Sequence, residues 1–120
     1  CTLEDLAIKV IKSISVGCHI TIVCNNTTDN PVWGYVRKRV MEHFDSVGVT
    51  DYIHTPHSIW WEEYNVVICI KNTEKDSFRG IRLSSSFVID VNNFNELVEY
   101  MTPCMQFNNG CIYNVHLAEK

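Results

Sequence analysis

The run Val66-Val67-Ile68-Cys69-Ile70, entered through Asn65, contains no alternation of apolar and polar side chains. A strand with one wet face alternates. An unbroken run rich in β-branched residues reads instead as a strand covered on both faces. His19–Cys24 and Phe87–Val91 have the same character, and helical patterns lie between the three. Buried strands separated by helices build a parallel sheet. The expected fold is therefore α/β, a three-layer sandwich with a mostly parallel central sheet flanked by helices. Strands near 19–24, 65–70 and 86–91 are expected to be mutual neighbours, with 65–70 at the centre.

A chain of 120 residues, 46% apolar and 20% charged, is long enough for a core of its own, so residues 1–120 read as a single α/β domain. The net charge of −4 offers no basic surface, and nucleic acid is not expected as a partner. Arg37-Lys38-Arg39, the one basic cluster, falls inside a helical pattern and reads as a solvated helix face. No stretch approaches the roughly 18–20 apolar residues of a membrane span, so this segment itself is expected to make no membrane contact. The first residue is Cys1, and the chain is expected to be a processed form, a fragment or one lobe of a longer protein.

The helical patterns have recognisable starts. Thr2 with Asp5 resembles a capping box for a helix from Thr2 to Ser15, with Gly17 suited to a left-handed stop. Asn30-Pro31 supplies a cap acceptor and a first-turn proline for a helix whose buried face carries Trp33, Val36, Val40, Phe44 and Val47. Tyr52-Ile53-His54 reads as a short edge strand, and Ser58–Glu63 as one helical turn. Asn93 with Glu96 forms a second box-like start, for a short helix ended by Pro103, and a last strand is expected over Ile112–Leu117.

Six cysteines occur, at 1, 18, 24, 69, 104 and 111, with no Cys-x-x-Cys pair; zinc ribbons and thioredoxin-type chemistry both lose their signature. Cys69, mid-strand, reads as a buried thiol. Cys104 and Cys111 flank a reversal through Asn108-Asn109-Gly110 that could bring them together as a disulfide. Two overlapping acceptor sequons, Asn25-Asn26-Thr27 and Asn26-Thr27-Thr28, sit where a strand gives way to a polar loop, and glycosylation is expected at Asn25 or Asn26. Together these features favour an extracellular location.

Among chemistry-bearing residues, Asp90 stands near the C-terminal end of a buried strand, where open α/β sheets carry ligands. It is the leading candidate for a functional carboxylate; the competing role is an Asx-type turn with the amides of Asn92 and Asn93. Trp60 and Trp61 are adjacent, so one must leave the core and serve as an anchor for a neighbouring domain or partner. His54 and His57 have a spacing compatible with a metal, but nothing fixes further ligands, and no metal is expected. No glycine-rich phosphate loop and no nucleophile elbow occur. No cofactor and no catalytic residue are therefore expected, and the chain reads as a non-enzyme.

The succession of elements, the sequons and two segments, Trp60–Asn72 and Ser85–Met101, resemble part of one lobe of the extracellular amino-terminal region of arthropod ionotropic receptors, chemosensory relatives of ionotropic glutamate receptors. The resemblance implies a non-catalytic extracellular domain of a ligand-gated ion-channel-like receptor. It would lie on the outer side of the plasma membrane, or be secreted, with a neighbouring domain or receptor subunit as partner. Pore and agonist-binding lobes would belong to other sequence, and no functional residue carries over, since none of the agonist-contacting motifs occurs here. Two other readings of the residues stand beside it: a free-standing α/β binding domain, and a small α/β enzyme working from the C-terminal ends of its strands.

Overall fold

The computed structural model describes residues 1–78, 81–105 and 110–117. Among these residues the frame is one six-stranded sheet. The strands are β1 (His19–Val23), β2 (Ile53–Thr55), β3 (Ser58–Trp61), β4 (Val66–Lys71), β5 (Ser85–Ile89) and β6 (Cys111–Val115), in the order β2-β3-β4-β1-β5-β6. The block β4-β1-β5-β6 is parallel, and β2 and β3 add an antiparallel hairpin to its β4 edge. The α/β class with a mostly parallel sheet is thus as read from the sequence.

The expected order of the buried strands needs correcting. β1 lies between the other two, with Ile22 opposite both Ile70 and Phe87, so the strands at 65–70 and 86–91 are not neighbours of one another. The pairing of β1 with β4 and with β5 places the earliest strand in the middle. It joins residues about fifty or more positions apart, which local pattern does not encode.

Among the described residues three α-helices accompany the sheet: α1 (Leu3–Lys12), α2 (Pro31–Ser46) and α3 (Phe94–Met101). Thr2 and Asp5 complete the capping box that opens α1, with Asp5 N–H donating to Thr2 Oγ1 at 3.1 Å. Asn30 Oδ1 accepts from the amides of Val32 and Trp33 at 2.9 and 3.1 Å, and Pro31 occupies the first turn of α2. At Asn93 the expected box does not form: α3 starts without a side-chain cap. Gly17 does adopt a left-handed φ of +79°, but α1 ends earlier, at Ser13, and the glycine turns the chain into β1.

Successive residues of β1 and β5 feed two different cores. Ile20, Ile22, Ile59, Ile68, Ile70, Phe87 and Ile89 pack with Leu6 and Val10 of α1 and Trp33, Val36, Val40 and Phe44 of α2. Val23 and Val88 pack instead with Phe78, Leu83, Val91 and Leu97 and Met101 of α3. The second core thins towards the hairpin. Val67 is only half-buried, although its run shows no alternation.

The helical turn expected at Ser58–Glu63 is β3 followed by a 3-10 turn at Glu62–Tyr64. Pro56 and His57 reverse the chain, and Ser58–Trp61 then pairs residue for residue with Val66–Cys69. That cross-strand ladder, with aromatic and β-branched partners, outweighs the weak helical appearance of Trp-Trp-Glu-Glu.

Candidate functional site

The C-terminal ends of β1 and β5 lie side by side, and the chain leaves them in different directions, towards α2 and α3. In open α/β sheets this is the place where ligands are received. Two loops frame it, Asn25–Asn30 after β1 and Asp90–Asn93 after β5. Each holds an aspartate in the left-handed region, Asp29 at φ +50° and Asp90 at φ +47°, a conformation that Asp and Asn tolerate better than most residues.

Asp90 is where the sequence put it, and its side chain is turned to β6. The carboxylate accepts from Leu117 N–H at 3.3 Å and stands 3.4 Å from His116 Nδ1. Its amide donates to Val115 O at 2.9 Å. The turn that occupies Asp90 is therefore made with the end of β6, and the bonds expected to Asn92 and Asn93 are replaced by this tie. The Asp90–His116 pair is open to solvent, and His116 borders a hollow of about 330 Å³ shared with Lys9 and Tyr113. Beneath the same edge Cys24 is buried, and burial, reinforced by the charge of Asp90, pushes its thiol up to about 11, so it is inert as a nucleophile.

The larger concave surface lies on the other side of the β1–α2 loop. A cleft of about 410 Å³ runs between this loop, the first turns of α2 and the β2–β3 turn, lined by Thr28, Trp33, Gly34, Arg37, Pro56 and His57 among others. A second, of about 260 Å³, continues past Thr27 and His57 to Lys71, Asn72 and Ser77. Trp33 Nε1 donates to Pro56 O at 2.8 Å. Arg37 donates through Nε to Thr55 O at 3.1 Å, and its Nη2 meets His54 Nδ1 at 2.7 Å. The helix and the hairpin turn are thus locked into one wall. The reading of Arg37 as merely solvated is corrected here. Only the long-range contact of α2 with the turn at Pro56 reveals its role, and no sequence signal points to that contact.

His54 and His57 diverge, one bonded to Arg37 and the other lining both clefts. Trp60 and Trp61 separate as adjacent strand residues must. Trp61 packs against Phe44 and Tyr64, with ring centroids 5.5 and 4.5 Å away. Trp60 is 47% exposed and forms a row with its cross-strand neighbours Ile53 and Val67 on the sheet face away from α2. Asn25 and Asn26 are both exposed at the head of the β1–α2 loop.

The expected Cys104–Cys111 disulfide is not formed. Cys104 Sγ donates to Phe78 O at 2.7 Å, turned into the contact below α3, while Cys111 is exposed at the start of β6 and begins its ladder opposite Ser85. The asparagines of the intervening turn, Asn108 and Asn109, lie outside the described residues. Cys69 is the buried thiol expected, 3.5 Å from His19 Nε2.

No protein-family model matches the chain, and no curated protein does. Among solved structures it is similar to the large terminase from a thermophilic bacteriophage, at 10% identity with a TM-score of 0.59. The likeness covers 96% of this chain and 29% of that one, so the chain spans less than a third of the terminase structure. At this identity the fold alone is shared. Even so, the likeness corrects one expectation. An arrangement that occurs within a terminase, an enzyme, gives no ground for reading this chain as a non-enzyme, and that exclusion is withdrawn.

Proposed function

We propose that this chain is a recognition domain from the extracellular amino-terminal region of a receptor of the ionotropic chemosensory class. The reading rests on the resemblance of Trp60–Asn72 and Ser85–Met101. It draws structural support from one observation, the parallel block β4-β1-β5-β6 whose β1 and β5 ends open side by side towards a cleft-bearing edge. We take the architecture to be the three-layer form, α1 and α2 over one face and α3 over the other. The division of strand side chains between two cores supports this. Recognition would take place at the clefts bordered by Thr27 and His57. The row Ile53–Trp60–Val67, exposed at Ile53 and Trp60, would receive a neighbouring domain or receptor subunit.

The transcript read beyond the codon for Lys120 tests this proposal. Sequence for agonist-binding lobes and a pore supports it. A stop codon shortly after Lys120 overturns it in favour of the free-standing binding domain.

A further inference from the structure

The overlapping sequons offer two acceptors, and the geometry points to Asn26, not Asn25, as the one that carries the glycan; the choice has a natural role only if the extracellular reading holds. Asn26 Oδ1 accepts from the amide of Thr28 at 3.0 Å, an Asx turn within its own sequon. This uses the carbonyl oxygen of the side chain and leaves Nδ2, the atom to be modified, unengaged and exposed. The turn is braced by Asn30 Nδ2, which donates to Asn26 O at 2.6 Å, and Asn30 is itself fixed as the cap of α2. Every bond in this set joins residues between Asn26 and Trp33. The conformation can therefore form in the nascent chain, before the sheet exists to hold it.

Asn25 has no such turn. The hydroxyl residue of its sequon, Thr27, is half-buried and lines both clefts, whereas Thr28, which borders the larger cleft, is exposed. In the transfer, Nδ2 of Asn26 attacks C1 of the first sugar of a lipid-pyrophosphate-linked oligosaccharide. The Nδ2–C1 bond forms as the bond from C1 to the pyrophosphate oxygen breaks. Nδ2 gives up a proton, and the lipid pyrophosphate leaves with the electron pair. A glycan placed there stands at the mouth of the larger cleft, beside Thr28.

The test expresses residues 1–120 behind a supplied signal peptide, so its outcome does not depend on where the natural protein resides. The wild-type chain is expected to show one glycosidase-sensitive shift. N25Q and Thr27→Ala, which remove only the first sequon, keep it; N26Q and Thr28→Ala, which remove only the second, lose it. Thr28→Ala leaves Asn26 and its brace in place, and so decides the matter should N26Q fail to be secreted. A shift that survives N26Q or Thr28→Ala, or no shift in the wild type, overturns the assignment. A supported assignment combined with an intracellular natural protein would sink the receptor reading alone.

Discussion

Ile68 and Val67 are consecutive residues of β4 that point to opposite faces, and truncating each measures how differently those faces are built. Ile68 is fully buried between Ile59 of β3 and Ile20 of β1, themselves fully buried, above the α1–α2 core. Ile68→Ala removes three carbons, about 2.4 kcal/mol of transfer free energy at about 0.8 kcal/mol each. The cavity left in a close-packed site raises the loss to about 3–4 kcal/mol. Val67 lies on the thinly covered face beside exposed Trp60, so Val67→Ala should cost only about 1 kcal/mol. For a domain of this size each kcal/mol moves the melting temperature by about 3–5 °C, so about 10–15 °C and under about 5 °C are expected. Urea unfolding of the two variants, with m unchanged, gives the free energies directly. Equal losses, or a larger loss at Val67, would refute the assignment of the faces and with it the two-core arrangement.

Three further outcomes follow from single contacts. Asn30→Ala removes the acceptor for two amides at the start of α2 and should cost about 1–2 kcal/mol in the same unfolding assay; an unchanged midpoint would mean the cap is idle. His19 is held below its ordinary value of 6.5, chiefly by burial and secondarily by the charge of Lys71. A base with a lowered folded pKa binds its proton more readily when unfolded, so this contribution is complete above about pH 6.5 and is lost progressively as pH falls from there through the lower folded value. His19→Gln should therefore flatten the stability profile between about pH 7 and 5, and a slope unchanged by the substitution would contradict this. Alkylation of the native protein should modify Cys1 and Cys111 first and leave Cys18, Cys24 and Cys69 unmodified until unfolding; early labelling of Cys24 would contradict its burial and its pKa of about 11.

The elements that were legible in the sequence are those specified by their own residues. Asn30-Pro31 announces α2, the capping box announces α1, and the continuous apolar runs announce β1, β4 and β5. What depended on distant partners was not legible. The position of β1 between β4 and β5 rests on pairings such as Thr21 with both Cys69 and Ser86. β3 exists because Val66–Cys69 is there to pair with it. At the candidate site Asp90 could be located but not oriented, because its partner, the amide of Leu117, lies 27 positions away. Arg37 reads in the sequence as one of three basic residues on a helix, whereas its guanidinium ties α2 to the hairpin turn. The Asn25–Asn30 loop was legible as a polar turn, and the Asx turn that distinguishes its two asparagines emerges only in the folded chain.

Antibody staining tests the proposed role of the domain most directly. Serum raised against residues 1–120 should label intact, unpermeabilised cells that express the full-length gene product, because the account places this domain outside the plasma membrane. Labelling that appears only after the cells are permeabilised, with a surface marker stained normally in both conditions, would contradict it.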